Sequence, residues 1–335
     1  MKKYTLKSVG LFVLTWLLFI IPFWGLTYTS DWGGYAQMFE DPELSRDFLF
    51  RLFSVLLGNH GCTFIDLYRL HIIGIGFLYS LVFMRLRLNP LLALFIVITL
   101  YYVPIGNQIR FFMAFPLVIL SLYRFVRKHY VRCLIGMVLA VLAHKTAVIL
   151  CGVYVIAYLL SKRSIALQKY CIFIANIVLA VLWHFSYLFD PKYADYQYNV
   201  SSIWGGIYNS VVYIIPLYLV FRTNKTIQQV SGGVSASFYR YLYAMSIGTS
   251  GFILAGLSLQ ILTNRFIATL VPIWLAYFIY CGTNCNFSPI FRQRLRYYAI
   301  LSVLIVYVKQ YILDSVFGIN AFFYEAQQML LSYQL

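Results

Sequence analysis

The sequence predicts an all-α fold: a polytopic helical membrane protein with about eleven transmembrane helices. Three observations carry that reading. The chain is 62% hydrophobic and 19% aromatic with only 11% charged residues, and its mean hydropathy of +0.78 lies outside the range of soluble domains. Apolar runs near the roughly 20 residues needed to cross a hydrocarbon core of about 30 Å follow one another along nearly all of it. The basic residues fall consistently on one side of those runs. The expected organisation is a single transmembrane domain, 1–335, with no room for a soluble domain.

The first run, "VGLFVLTWLLFIIPFWGLTY" (9–28), follows "MKKYTLK". It is too long for a signal peptide and has no clear small-x-small cleavage site, so it is read as a retained first span. Residues 44–58, "LSRDFLFRLFSVLLG", place Asp47, Arg51, Ser54 and Gly58 on one helical stripe, as in an interfacial helix or one dipping at a cavity rim. The remaining runs are 64–84, 90–104, 111–125, 131–143, 146–160, 168–187, 206–221, 238–258, 266–281 and 297–316. "SGGVSAS" (231–237) reads as a linker.

With the N-terminus inside, 18 of the 26 basic residues lie in inner connections, and all ten acidic residues fall outside or in outer halves of spans. This obeys the positive-inside rule. The net charge of +16 then reflects topology and contact with anionic membrane lipids, which argues against a nucleic-acid partner. The six cysteines do not form a disulfide framework. The spacing of Cys281 and Cys285 lacks the further ligands a metal site needs.

Polar residues gather on the outer side. Residues 90–104 and 111–125 give about 22 Å each and 131–143 about 20 Å, short of the roughly 30 Å core. Their connections, "IGNQIR" (105–110) and "AHKT" (143–146), should therefore lie below the membrane surface. Non-helical backbone at that depth is tolerated only when buried in protein or lining a water-filled cavity, so an outward-facing cavity is expected. The outer loops 29–63 and 188–205 should form part of the site.

Arg110 and Arg265 offer planar donor forks that match diphosphate oxygens; the plainer alternative is that each snorkels or pairs with an acid such as Asp31 or Asp195. His144 suits proton removal from a sugar hydroxyl, and Lys145 beside it adds a phosphate-binding cation. Tyr193, Tyr196 and Tyr198, alternating with Asp195 and Gln197, are candidates for stacking on sugar rings. No D-x-D, H-E-x-x-H, P-loop or G-x-S-x-G motif occurs, which argues against a metal-bound nucleotide-sugar enzyme and an ATP-driven transporter.

The order "SDWGGY", "NQIRFFMA", "LAHKTAVIL" and "NRF" resembles the EpsG/Wzy-type polysaccharide polymerases over roughly residues 25–280. Phe111 and Phe112 after Arg110, and Lys145 between His144 and Thr146, depart from the family pattern. The resemblance implies roles for Asp31, Tyr35, Gln108, Arg110, His144 and Arg265. It also implies a C-type membrane glycosyltransferase architecture with no metal or cofactor. The implied activity joins oligosaccharide repeat units carried on undecaprenyl diphosphate at the outer leaflet of the bacterial inner membrane, and leaves room for a chain-length regulator as partner. On this reading Arg110, His144 and Asp31 are the catalytic candidates, and Arg265, Lys145, Gln108, Tyr35, Asp195 and Tyr196 the substrate-binding ones. A lipid-linked oligosaccharide flippase, an O-antigen ligase and a membrane O-acyltransferase are the alternatives; the ligase differs only in its acceptor.

Overall fold

A computed structural model describes residues 6–185, 188, 203–230, 237–257, 265–284, 287–313 and 322–334. In chain order the helices are α1 (Leu6–Trp24), α2 (Trp32–Glu40), α3 (Phe48–Gly58), α4 (Phe64–Leu86), α5 (Pro90–Asn107), α6 (Ile109–Val126), α7 (Tyr130–Ala143), α8 (Ala147–Leu160), α9 (Ile165–His184), α10 (Ile203–Val230), α11 (Ser237–Ile247), α12 (Val271–Asn284), α13 (Pro289–Val308) and α14 (Phe322–Leu331). No strand occurs among the described residues. The protein is thus a polytopic helical membrane protein, as its composition demands.

Among the described residues six helices are long and apolar enough to cross a membrane: α1, α4, α5, α6, α9 and most of α10. The other expected spans are shorter or interrupted. Helices α7 and α8 have 14 residues each, about 21 Å, as expected for runs closing on the 143–146 connection. The 238–258 run divides into α11 and two 3-10 stretches, Gly248–Phe252 and Leu254–Leu257. Within the 297–316 run, α13 passes into a π-helical turn, Lys309–Leu313.

The α5–α6 junction differs from expectation. Helix α5 continues through residues 105–107 and α6 starts at Ile109, so each has 18 residues, about 27 Å. The non-helical connection shrinks to Gln108 (φ −125°, ψ 49°). A second break falls inside α5 at Tyr101 (φ −123°, ψ 17°). Its cause is Pro104, which has no N–H to donate to Leu100 and crowds that carbonyl.

The chain divides into two compact units, Met1–Cys151 with Asn320–Leu335, and Gly152–Ile319. In the first, Trp16 Nε1 on α1 donates to the Ile73 carbonyl on α4 at 3.0 Å, and Phe19 stacks on Tyr79. Gly136 lets α7 approach α6, where any Cβ would collide with Ser121. The C-terminal segment folds back: Gln334 N donates to the Gly25 carbonyl at 2.7 Å, and Tyr333 to that of Ile21 at 2.7 Å. In the second unit, buried polar side chains join helices. Tyr243 donates to Gln168 at 2.8 Å, Tyr239 to Asn224 and Trp274 to the Ser246 carbonyl at 3.2 Å. Such pairs satisfy polar groups where no water is available.

Candidate functional site

The first unit brings together three segments that are far apart in the chain: the start of α3, the start of α6 and the α7–α8 connection. Asp47 is the N-cap residue of α3, and its carbonyl accepts the Arg51 N–H at 3.1 Å. Its side chain makes no cap hydrogen bond, although capping by Asp is ordinarily worth about 1 kcal/mol. The carboxylate turns away instead. Oδ2 accepts from Arg110 Nη1 at 2.8 Å and from His144 Nδ1 at 3.0 Å, while Oδ1 accepts the Lys145 N–H at 2.9 Å.

Arg110 lies in the first turn of α6, the positive end of the helix dipole, where a cation is locally disfavoured. Its charge is met by Asp47. The guanidinium also rests over two rings, 5.0 Å from the Tyr35 centroid and 5.4 Å from that of Phe50, a cation–π arrangement strengthened by burial. Tyr35 comes from α2 and Phe50 from α3, and the rings pack on each other at 5.6 Å. Ser45 supports the turn: its Oγ accepts the Asp47 N–H at 3.3 Å and lies 3.5 Å from Arg110 Nη1. Arg110 Nε is buried and has no hydrogen-bond partner among the described residues.

His144 caps the C-terminus of α7 in an extended conformation (φ −156°, ψ 117°), its N–H held by the Ala140 carbonyl at 2.9 Å. Phe111 meets the imidazole edge-on, with centroids 5.9 Å apart. Because Nδ1 faces a carboxylate, the geometry assigns the neutral-ring proton to Nδ1 and the lone pair to Nε2.

Asp47 is 3% exposed, Arg110 18% and His144 13%, so the group is largely withdrawn from water. Burial alone would push the Asp47 carboxyl up. The His144 hydrogen bond, the Arg110 charge and the Lys145 N–H outweigh burial and hold it below the usual carboxylate range.

A second polar group lies at the end of α5. Asn107 accepts the Ser30 N–H at 3.1 Å through Oδ1 and donates to Glu325 Oε2 on α14 at 2.9 Å. Burial, opposed by the Asn107 hydrogen bond and reinforced by the charge of Asp31, raises the Glu325 carboxyl above its usual range.

The sequence-predicted residues therefore separate. Arg110, His144 and the Lys145 backbone converge on Asp47, and Tyr35 joins them under the Arg110 guanidinium. Gln108 forms the α5–α6 joint, its N–H bonded to the Pro104 carbonyl at 2.9 Å. Asp31 is the exposed N-cap residue of α2 and belongs to the Asn107–Glu325 group, so the acid that pairs with Arg110 is Asp47 instead of Asp31. Arg265 belongs to the second unit, where its carbonyl accepts the Thr269 hydroxyl at 3.0 Å. Asp195 and Tyr196, with Tyr193 and Tyr198, lie outside the described residues.

Sequence reasoning missed Asp47, and the polar stripe expected on α3 does not form a solvated face. Asp47 and Ser54 are buried, Arg51 is exposed and pairs with Glu43 at 2.8 Å, and Phe48, Leu52, Val55 and Leu56 are exposed. In a membrane the apolar face is the one that faces outward, and of the stripe only Asp47 and Ser54 turn to the interior. The usable signal was an Asp directly before an apolar helix whose outward face needs no charge.

No curated protein and no solved structure matches the chain. The EpsG family model matches residues 10–327, which takes in both units and every element of the Asp47 cluster. On that match the chain belongs to the EpsG family, a family of polysaccharide polymerase-like membrane proteins.

Proposed function

We propose that the protein polymerises undecaprenyl-diphosphate-linked oligosaccharide repeat units into a surface polysaccharide at the outer face of the bacterial inner membrane, with its N-terminus in the cytoplasm. Within the family, the observation that carries this reading is the Asp47–His144–Arg110 constellation, a buried acid that orients a histidine and neutralises an arginine.

In the proposed step, an acceptor sugar hydroxyl attacks the anomeric carbon of the donor sugar. The bond from that carbon to the lipid diphosphate breaks, and the diphosphate leaves with the bonding electrons. His144 Nε2 takes the hydroxyl proton, while Asp47, bonded to Nδ1, fixes the ring and stabilises the imidazolium formed. His144 is favoured over Asp31 as the base because Asp47 presents it, whereas Asp31 sits with Glu325. Arg110 has donors beyond the one that meets Asp47. A buried unsatisfied N–H costs about 1–3 kcal/mol, so a diphosphate oxygen reaching Nε would recover that cost as charge builds on the leaving group. Lys145 is the further cation for the diphosphate, and Gln108 and Tyr35 the groups for the sugar units; the parts given to Arg265, Asp195 and Tyr196 rest on the sequence and its family resemblance alone.

The test is incubation of purified protein with the lipid-linked repeat unit alone. A ladder of chain lengths is expected, and it should disappear in His144→Ala while the protein remains folded. A ligase would form no product without a separate lipid acceptor, and a flippase or acyltransferase would form no ladder.

A further inference from the structure

The second unit contains a groove of about 950 Å³ that the Asp47 cluster does not involve. Helices α9 and α10 each pack against the 3-10 stretches between Gly248 and Leu257, and the space left between them is open. Asn176 fixes the floor: its amide donates to the Ser250 carbonyl at 3.0 Å and accepts the Leu254 N–H at 3.0 Å. Ser210 on α10 donates to the Ile253 carbonyl at 2.9 Å from the other wall. Residue 169 lies level with 221, and 176 with 250 and 254. The helices therefore run antiparallel along the groove.

The two ends differ in chemistry. Lys169 on the first turns of α9 and Arg222 and Lys225 on the last turns of α10 gather at one end. All three are exposed, and Lys169 Nζ lies 5.9 Å from the Phe221 ring centroid. Away from them the walls are apolar, formed by Phe173 on α9 and Ile214, Leu217 and Tyr218 on α10. No Asp or Glu occurs among the described residues of this unit, so none of those residues offers the three cations a carboxylate. Exposed apolar residues continue along α9 beyond the groove, including Ile174, Ile177 and Val181, as suits a wall open to lipid. In the sequence-based topology Lys169, Arg222 and Lys225 lie on the basic side, where the membrane surface carries anionic lipid.

We propose that this groove binds an anionic phospholipid, its phosphate held by Lys169, Arg222 and Lys225 and an acyl chain lying against Phe173, Leu217 and Tyr218. Charge complementarity selects this occupant. A zwitterionic lipid would bring its own cation to a site that already holds three, and free phosphate would leave the apolar wall unfilled. The inference is independent of the polymerase reading.

The test is native mass spectrometry of the full chain in detergent, titrated with phosphatidylglycerol, phosphatidylcholine of the same chains, inorganic phosphate and undecaprenyl diphosphate. Phosphatidylglycerol should bind at least tenfold more tightly than phosphatidylcholine. Its affinity should fall about a hundredfold in the K169Q/R222Q/K225Q variant, the scale expected for removing three interfacial cations. Ile214→Trp, which fills the apolar part, should weaken it at least tenfold with the charges intact. If the triple variant unfolds, R222Q and K169Q alone should each weaken binding about fivefold. Equal binding of both phospholipids, or unchanged binding in the charge variants, overturns the proposal. So does full competition by millimolar inorganic phosphate, preferential displacement by undecaprenyl diphosphate, or a dimer that these substitutions dissolve in place of a lipid adduct.

Discussion

Asp47→Asn tests the proposed site most directly, because it preserves shape and removes one charge. Asparagine can keep an oxygen for the Lys145 N–H, but its amide nitrogen would then face Arg110 Nη1 and His144 Nδ1, two donors that now sit 2.8 and 3.0 Å from Oδ2. Both bonds on Oδ2 are lost and the guanidinium has no counter-charge. A pair of unit charges about 4 Å apart is worth ~4 kcal/mol at an effective dielectric of roughly 20. Arg110 is 18% exposed, and water recovers part of that, leaving about 3 kcal/mol, the lower end of the range for breaking a buried pair. The thermal unfolding midpoint in detergent should fall by roughly 5–10 °C. With the base no longer oriented, formation of the polymer ladder should slow by about 10²–10⁴. A D47N protein with native ladder kinetics and an unchanged midpoint would refute the role assigned to the cluster. The R110Q/D47N double variant separates the two duties of Arg110. If Arg110 only holds Asp47, the double variant polymerises no worse than D47N; if it also meets the diphosphate, activity falls further.

Arg110→Lys keeps the charge and loses the planar fork, so ladder formation should drop about 10–100-fold with little change in folding, as read by circular dichroism. Because Asp47 is held below the usual carboxylate range, its stabilisation is complete above the unfolded-state pKa near about 4 and is lost as pH falls through the lower folded value. The Asp47 contribution, read as the native midpoint minus that of D47N, should therefore be flat through neutral pH and decline in acid. Glu325 has the opposite sign: its raised pKa makes it stabilising only at low pH, and that contribution disappears as pH rises through the folded value. Glu325→Gln can still accept from Asn107, so it should raise the midpoint at neutral pH. Gly206→Ala would place a Cβ 2.5 Å from the Gly256 carbonyl oxygen and 2.7 Å from Leu257 Cα. That forces α10 off the 3-10 stretch at a cost of about 1–3 kcal/mol, measurable as a lower midpoint with the first unit's cluster intact.

The helical membrane fold was legible because composition and run length act over the whole chain, and neither depends on where a segment packs. Helix ends were less legible. The apolar run ending near residue 104 looked complete, yet Asn107 continues the helix because its amide is satisfied by Ser30 N and Glu325, partners 77 and 218 residues away. A polar residue at that point marks a tertiary contact as readily as a loop. Arg110 and His144 were legible as site candidates for a related reason: both interrupt apolar stretches where an unpaired polar group is costly, so each advertises a partner it does not name.

That partner was invisible for physical reasons. Asp47 stands in a polar loop before a helix, where an acid has an ordinary local explanation as an N-cap, and its two side-chain partners are 63 and 97 residues away. The structure removes the local explanation, since the carboxylate caps nothing in its own helix. Arg110 breaks a local rule of the same kind, as a cation at a helix N-terminus. Each residue is unfavourable where it stands and favourable against the other. Arrangements in which local preference is given up for a specific contact are what functional sites require. A merely structural N-cap would tolerate Asp47→Ser, which caps equally well. The cluster predicts that Ser fails there as Asn does, because neither returns a negative charge to Arg110 and His144, whereas Asp47→Glu, which retains the charge, should keep measurable polymerisation.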